Sequence, residues 1–317
     1  MCAVANISQE NRPMSHIANL AQSLPPTPPS SVPSPFASLI RTPGDYLCPD
    51  GVIFDELERA IRRHLFKQVL PSLKGRTERY LIIQGARGTG KTVTATDASL
   101  RYGFAVALLP ASMLASEHEG GATAVLRDFM AFAAEASRTR RQRIVIVADD
   151  FDLSISAADE QTGKTINSLL VTHLLQQMAD THEPRNFDDS GMPIIFTGNN
   201  FTTVRSSLFR EGRAAWHTHR PTLDDKLLIA FQLFNPRTFD DRRIIERLVR
   251  SYREESVAFW RALHNDLLTE KLDDLIARGL PDVAAAEAEF RRPVPLDPQK
   301  LWLLARARSR TGPASFL

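Results

Sequence analysis

Cysteine is almost absent from this 317-residue sequence: only Cys2 and Cys48 occur, neither with a nearby Cys or His at metal-ligand spacing. A disulfide framework and a cysteine zinc site are thereby excluded, and a reducing compartment fits. Long apolar runs are missing too, none approaching the roughly 20 residues of a membrane span. The N-terminal stretch lacks the basic patch and apolar core of a secretory signal, so a cytoplasmic protein is expected. Uncompensated charge is also scarce: 39 Lys and Arg face 37 Asp and Glu, a net +2. Such a balance supplies no global field for a polyanion, which weighs against nucleic acid as a partner. Arg138, Arg140, Arg141 and Arg143 form a local basic cluster, read most simply as a helix end, where cations suit the dipole.

What is present is ordinary for a soluble globular protein: 43% hydrophobic and 24% charged residues, enough for one large domain and a smaller one. Residues 1–35 stand apart. Their Pro/Ser-rich end, Leu24 to Pro35, has no apolar period and is expected to be an extended, disordered tail. From Phe36 onward, strand-like and helix-like segments alternate, the pattern of a parallel sheet covered by helices. A helix is predicted over Phe54–Phe66. Strands are predicted over Tyr80–Gln84, Phe104–Leu109, Arg143–Val147 and Pro193–Thr197, with a helix over Thr165–Ala179 between the last two. After Pro221 only helical periods occur: Leu223–Phe234 capped by Thr222, Asp240–Arg250, Ser256–Arg278 stopped by Gly279, and Pro298–Arg308. The expected division is a 36–221 α/β nucleotide-binding domain, a 222–310 α-helical lid and a 311–317 tail.

Four motifs carry chemistry. Gly85, Ala86, Arg87, Gly88, Thr89, Gly90, Lys91 and Thr92 form a Walker A loop between an apolar strand and a helix-compatible run. Its backbone N–H groups would cradle the phosphates of ATP, Lys91 would neutralise the β- and γ-phosphates, and the Thr92 hydroxyl would ligate Mg²⁺. The apolar run Ile144–Ala148 ends in Asp149, a second candidate Mg²⁺ ligand, and Asp150, a candidate general base for the attacking water. Asp152 reads as a capping or structural acid. A third strand ends in Asn199 and Asn200, where an amide can orient water or simply close a turn. Arg210 and Arg213 flank Glu211-Gly212, and one or both can serve a neighbouring subunit's ATP as an arginine finger. His217 and His219 lack a third ligand and read as satisfied imidazoles on a strand edge rather than a metal site.

These motifs in this order resemble the AAA+ superfamily and, within it, the ribulose bisphosphate carboxylase (Rubisco) activases. The resemblance runs from about Phe36 to about Arg308. It includes Tyr46-Leu47, Thr165-Ile166-Asn167, Met178-Ala179-Asp180, Phe201-Thr202, Pro221-Thr222, and Phe259 with Ala262-Leu263. It implies a doubly wound parallel-sheet P-loop domain with a small all-α lid, assembled as a hexameric ring that hydrolyses Mg-ATP to remodel a protein client, Rubisco. Asn199 takes the sensor position, Arg210 and Arg213 the finger positions, and Leu114–Gly121 that of a loop lining the central pore. Two positions depart from the pattern. His264 stands where the lid helix carries a sensor Arg, with Arg261 one turn earlier, and Asp149 stands where activases often have Asn. The competing readings are a nucleotide-gated regulator or loader on another protein or nucleic-acid complex, and a small-molecule kinase.

Overall fold

The structure, a computed structural model, describes residues 34–49, 51–73, 76–116, 118–155, 166–180, 192–202, 208–279, 282–290 and 296–311. Most of the expected N-terminal tail, Glu117, Thr165 and residues 312–317 lie outside them.

Six strands form one sheet: β1 (Ile40–Arg41), β2 (Tyr80–Gln84), β3 (Ala105–Pro110), β4 (Ile144–Asp149), β5 (Ile194–Gly198) and β6 (Ala214–Thr218), in the order β1-β3-β4-β5-β2-β6. The pairings from β3 through β6 are parallel. Each of the four predicted strands forms within a residue or two of its expected bounds. β1 adds a short antiparallel edge on β3, which the alternating pattern did not reveal because two residues have no period.

The strand sequences explain how the sheet is covered. Side chains of successive strand residues face opposite sides. Tyr80, Ile82, Ala105, Ala107, Ile146 and Phe196 therefore point one way, packing against α3 (Gly121–Arg140) and α5 (Ile166–Asp180) through Phe129, Met130, Leu174 and Leu175. Leu81, Ile83, Val106, Val145 and Ile195 point the other way, against α1 (Asp55–Val69) and α2 (Lys91–Arg101). Burial on both faces is why these strands read as continuous apolar runs. A short helix, α4 (Phe151–Ile155), follows β4 directly.

Beyond Pro221 every described element is helical: α6 (Leu223–Phe234), α7 (Phe239–Ser251), α8 (Val257–Ala277), α9 (Val283–Phe290) and α10 (Pro298–Thr311). Thr222 with Asp225 and Thr238 with Asp241 form reciprocal capping boxes. Each cap of this type contributes about 1 kcal/mol. Ser256 caps α8 by accepting from Phe259 N. Trp260, Leu263, Leu248 and Leu301 join the same apolar cluster as α1 and α2, so the helical part shares a core with one face of the sheet.

Candidate active site

The loop between β2 and α2 is built by close approach. A Cβ on Gly85 would lie 2.3 Å from the His219 carbonyl oxygen, so only glycine lets β2 and β6 leave the sheet together. Gly88 has φ +69, and its carbonyl accepts from Ala258 N at 2.9 Å. Thr89 folds its hydroxyl back onto Ala86 O at 2.9 Å, while its own carbonyl receives Nε2–H of buried His219 at 3.0 Å. Burial holds the His219 pKa below its usual value, keeping the ring neutral. His219 thus supports the phosphate loop. The bond to the Thr89 carbonyl is what the satisfied-imidazole reading expects of this ring.

Lys91 opens α2 and is buried. Its Nζ donates to Gly85 O and Ala86 O at 2.8 Å each and lies 3.4 Å from Asn199 Oδ1. Burial lowers its pKa, opposed by the carboxylates of Asp150, Asp152 and Asp149. β5 lies between β2 and β4, and this order inserts Asn199 between the phosphate loop and the acids. The backbone amides of Asn199 and Asn200 both donate to Asp152 Oδ2, at 2.9 and 3.0 Å, so the acid read as structural fixes the strand end that carries the amide.

At the end of β4, Asp149 Oδ1 accepts from Thr92 Oγ1 at 2.5 Å and from Thr197 Oγ1 at 2.9 Å. This all-oxygen set suits a hard cation such as Mg²⁺, which uses few protein ligands and retains water. Thr197 was not singled out from the sequence; a hydroxyl on an otherwise apolar buried strand was the available signal. Asp150 follows with φ +48, a left-handed conformation in which Asp and Asn are enriched. Partial burial, then the adjacent charges of Asp149 and Asp152, raises its pKa.

The two finger candidates lie at the other end of the same strands. β2 and β6 are in register from Tyr80↔Ala214 to Gln84↔Thr218, and Arg213 immediately precedes β6. Five residues of strand, about 16 Å, separate it from the phosphate loop. Arg213 is held by Asp180 through Nε at 2.7 Å and through a second bond from its Nη2, leaving its side chain 11% exposed. Arg210 lies 3.8 Å from the same carboxylate and is 63% exposed. The geometry does not bring either arginine to the chain's own Lys91.

The helical part meets the loop at the start of α8, through the Ala258–Gly88 bond. Farther along that helix, Arg261 donates to Cys48 Sγ at 3.0 Å, and His264 packs edge-on against Phe234.

A phosphate loop after β2, with a polar amide brought beside it by β5 and an acid pair by β4, is the arrangement of a P-loop nucleotide-binding domain of the AAA+ type. Residues 81–222 match the ATPase family associated with various cellular activities (AAA), and the chain carries an AAA ATPase domain. Over a longer stretch the chain is similar to activases. It is 30% identical over 245 residues to a ribulose bisphosphate carboxylase/oxygenase activase of a Nostoc species, covering 73% of this chain and 59% of the relative. The chloroplastic activase of Chlamydomonas reinhardtii is 26% identical over 228 residues, 69% of this chain and 54% of the relative. That of rice is 27% identical over 229 residues, 69% and 47%. The chain thus spans about half the length of the relatives it matches. No helix among the described residues is long and apolar enough to cross a membrane.

Proposed function

We propose that the chain binds Mg-ATP at Gly85–Thr92 and hydrolyses it in a site completed by Arg210 and Arg213 of an adjacent protomer in a ring, to remodel a protein client. Residues 36–221 are the nucleotide-binding domain and 222–310 the lid. The observation that carries this reading is the placement of both arginines at the strand ends remote from Lys91. A finger that cannot serve its own nucleotide is suited to serve a neighbour's.

Lys91 exchanges its loop carbonyls for the β- and γ-phosphates, and the amides of the loop add their N–H groups and the positive end of α2. Thr92 and Asp149 would hold a magnesium ion, which would neutralise charge on the phosphate oxygens. Asp150 accepts a proton from the water that attacks the γ-phosphorus as the bond to ADP breaks, and Asn199 orients that water. The raised pKa of Asp150, caused by partial burial and then the neighbouring charges of Asp149 and Asp152, makes its carboxylate a stronger base. The Ala258–Gly88 contact gives the lid a direct mechanical hold on the phosphate loop.

Similarity to activases supports Rubisco as the client. The test is ATP turnover and carboxylation measured together, with Rubisco locked by a tight-binding sugar phosphate. Restored carboxylation that requires ATP is expected. Steady ATP turnover with Rubisco still locked would remove this client and leave the ATPase standing.

A further inference from the structure

Helix α5 joins two distant parts of the molecule. In its first turn the Asn167 side chain is spent entirely on another segment. Its Oδ1 accepts from Gly120 N at 2.7 Å, and its Nδ2 donates to Ser116 O at 3.1 Å and His118 O at 2.9 Å. An Asn near a helix start ordinarily satisfies its own backbone, so three bonds to a loop across the fold mark a different role. At the last residue of the same helix, Asp180 holds Arg213 and lies near Arg210. Asn167 and Asp180 both lie on one unbroken 15-residue helix, about 20 Å apart along its axis. Tyr80 Oη donates to Leu175 O at 2.6 Å, and Leu174, Leu175 and Met178 are buried, so the helix is gripped along its length.

A carboxylate at a helix C-terminus opposes the dipole unless a cation sits beside it. Asp180 has that cation in Arg213. Drawing the arginine toward a neighbouring protomer's phosphate removes this counter-charge and disturbs the last turn of α5. We propose that Asn167 is a positioning residue that makes the placement of the Ser116, His118 and Gly120 backbone depend on whether Asp180 keeps its arginines. The inference rests on the trans-arginine reading of the site.

Amide-resolved hydrogen exchange at Gly120 in the full chain tests this, with and without AMP-PNP. In the wild type the analogue should change exchange at Gly120 by about fivefold or more, the lower end of ordinary site-to-site coupling. Asp180→Asn should shift Gly120 exchange in the same direction without nucleotide. Asn167→Asp keeps the acceptor for Gly120 N but loses both donors, and should abolish the analogue's effect there while AMP-PNP affinity stays within about twofold. Persistence of that effect in Asn167→Asp, or an unchanged Gly120 in Asp180→Asn, would overturn the proposal. Should Asn167→Asp fail to fold, Asp180→Asn decides alone. Should AMP-PNP not bind the wild type, the ATPase reading fails by itself, and the nucleotide-free comparison still judges the linkage.

Discussion

Asp150 shows how backbone and chemistry are set together at one residue. Its left-handed φ of +48 is one that Asp and Asn tolerate and longer side chains adopt at a cost of about 1–2 kcal/mol. Asp150→Asn keeps both shape and conformation and removes a carboxylate whose charge the folded state disfavours. The variant is expected to bind ATP, to lose at least about a hundredfold in turnover, and to melt no lower than the wild type. Filter binding of labelled ATP and a thermal scan check this, and normal turnover would remove Asp150 as the base. His64 makes the opposite use of burial. It is buried on α1 with Nε2–H on Ile194 O at 3.1 Å, and burial pushes its pKa down to about 3 from 6.5. The folded value is the lower one, so the unfolded chain takes the proton first and stability falls as pH drops below about 6.5. At about pH 5 the loss is about 2 kcal/mol. His64→Gln can still donate to the carbonyl and should flatten this slope in urea titrations at neutral and mildly acid pH. An unchanged slope would place the acid sensitivity elsewhere. Lys91 and Thr92 were legible from sequence because the phosphate loop is contiguous. His219 and Thr197 acquire their roles only by packing onto Thr89 and Asp149, 130 and 48 positions away, which no local pattern encodes.

Among elements, legibility followed length and period. β2 and β5 are mostly apolar because both their faces are covered, and α6 announces itself through the Thr222 cap and its partner Asp225. The eight-residue α9 did not, since its Ala- and Glu-rich run is too short to establish an apolar stripe. Nor did the sequence show that α8 begins against the phosphate loop. That contact depends on Gly88, where an added Cβ would stand 2.8 Å from the Ala258 Cβ, on a backbone at φ +69. Gly88→Ala should therefore displace the start of α8, lower stability by about 1–2 kcal/mol and weaken nucleotide binding tenfold or more, by about 1.4 kcal/mol. Chemical denaturation and calorimetric ATP titration read the two effects. Full ATP affinity in this variant would show that the loop does not need its seat on α8.

For the whole molecule, the decisive feature of the proposal is that the two candidate halves of the site lie at opposite ends of one parallel sheet. Lys91, Asp149, Asp150 and Asn199 gather where β2, β4 and β5 end, while Arg210 and Arg213 sit where β6 begins. Asp180 occupies the arginines within the chain, the more exposed Arg210 being held less closely than Arg213. The strand order that separates the halves could be placed only once the register of β6 against β2 was known, so the sequence named the parts without their geometry. The most direct measurement mixes two inactive proteins, Lys91→Ala, which keeps its arginines but cannot hold ATP, and Arg210→Ala/Arg213→Ala, which holds ATP but lacks the fingers. Each alone should turn over ATP at no more than about one thousandth of the wild-type rate, and mixed oligomers verified by mass should recover a substantial fraction of it. Silent mixed oligomers, or a double arginine variant active by itself, would contradict a site shared between protomers.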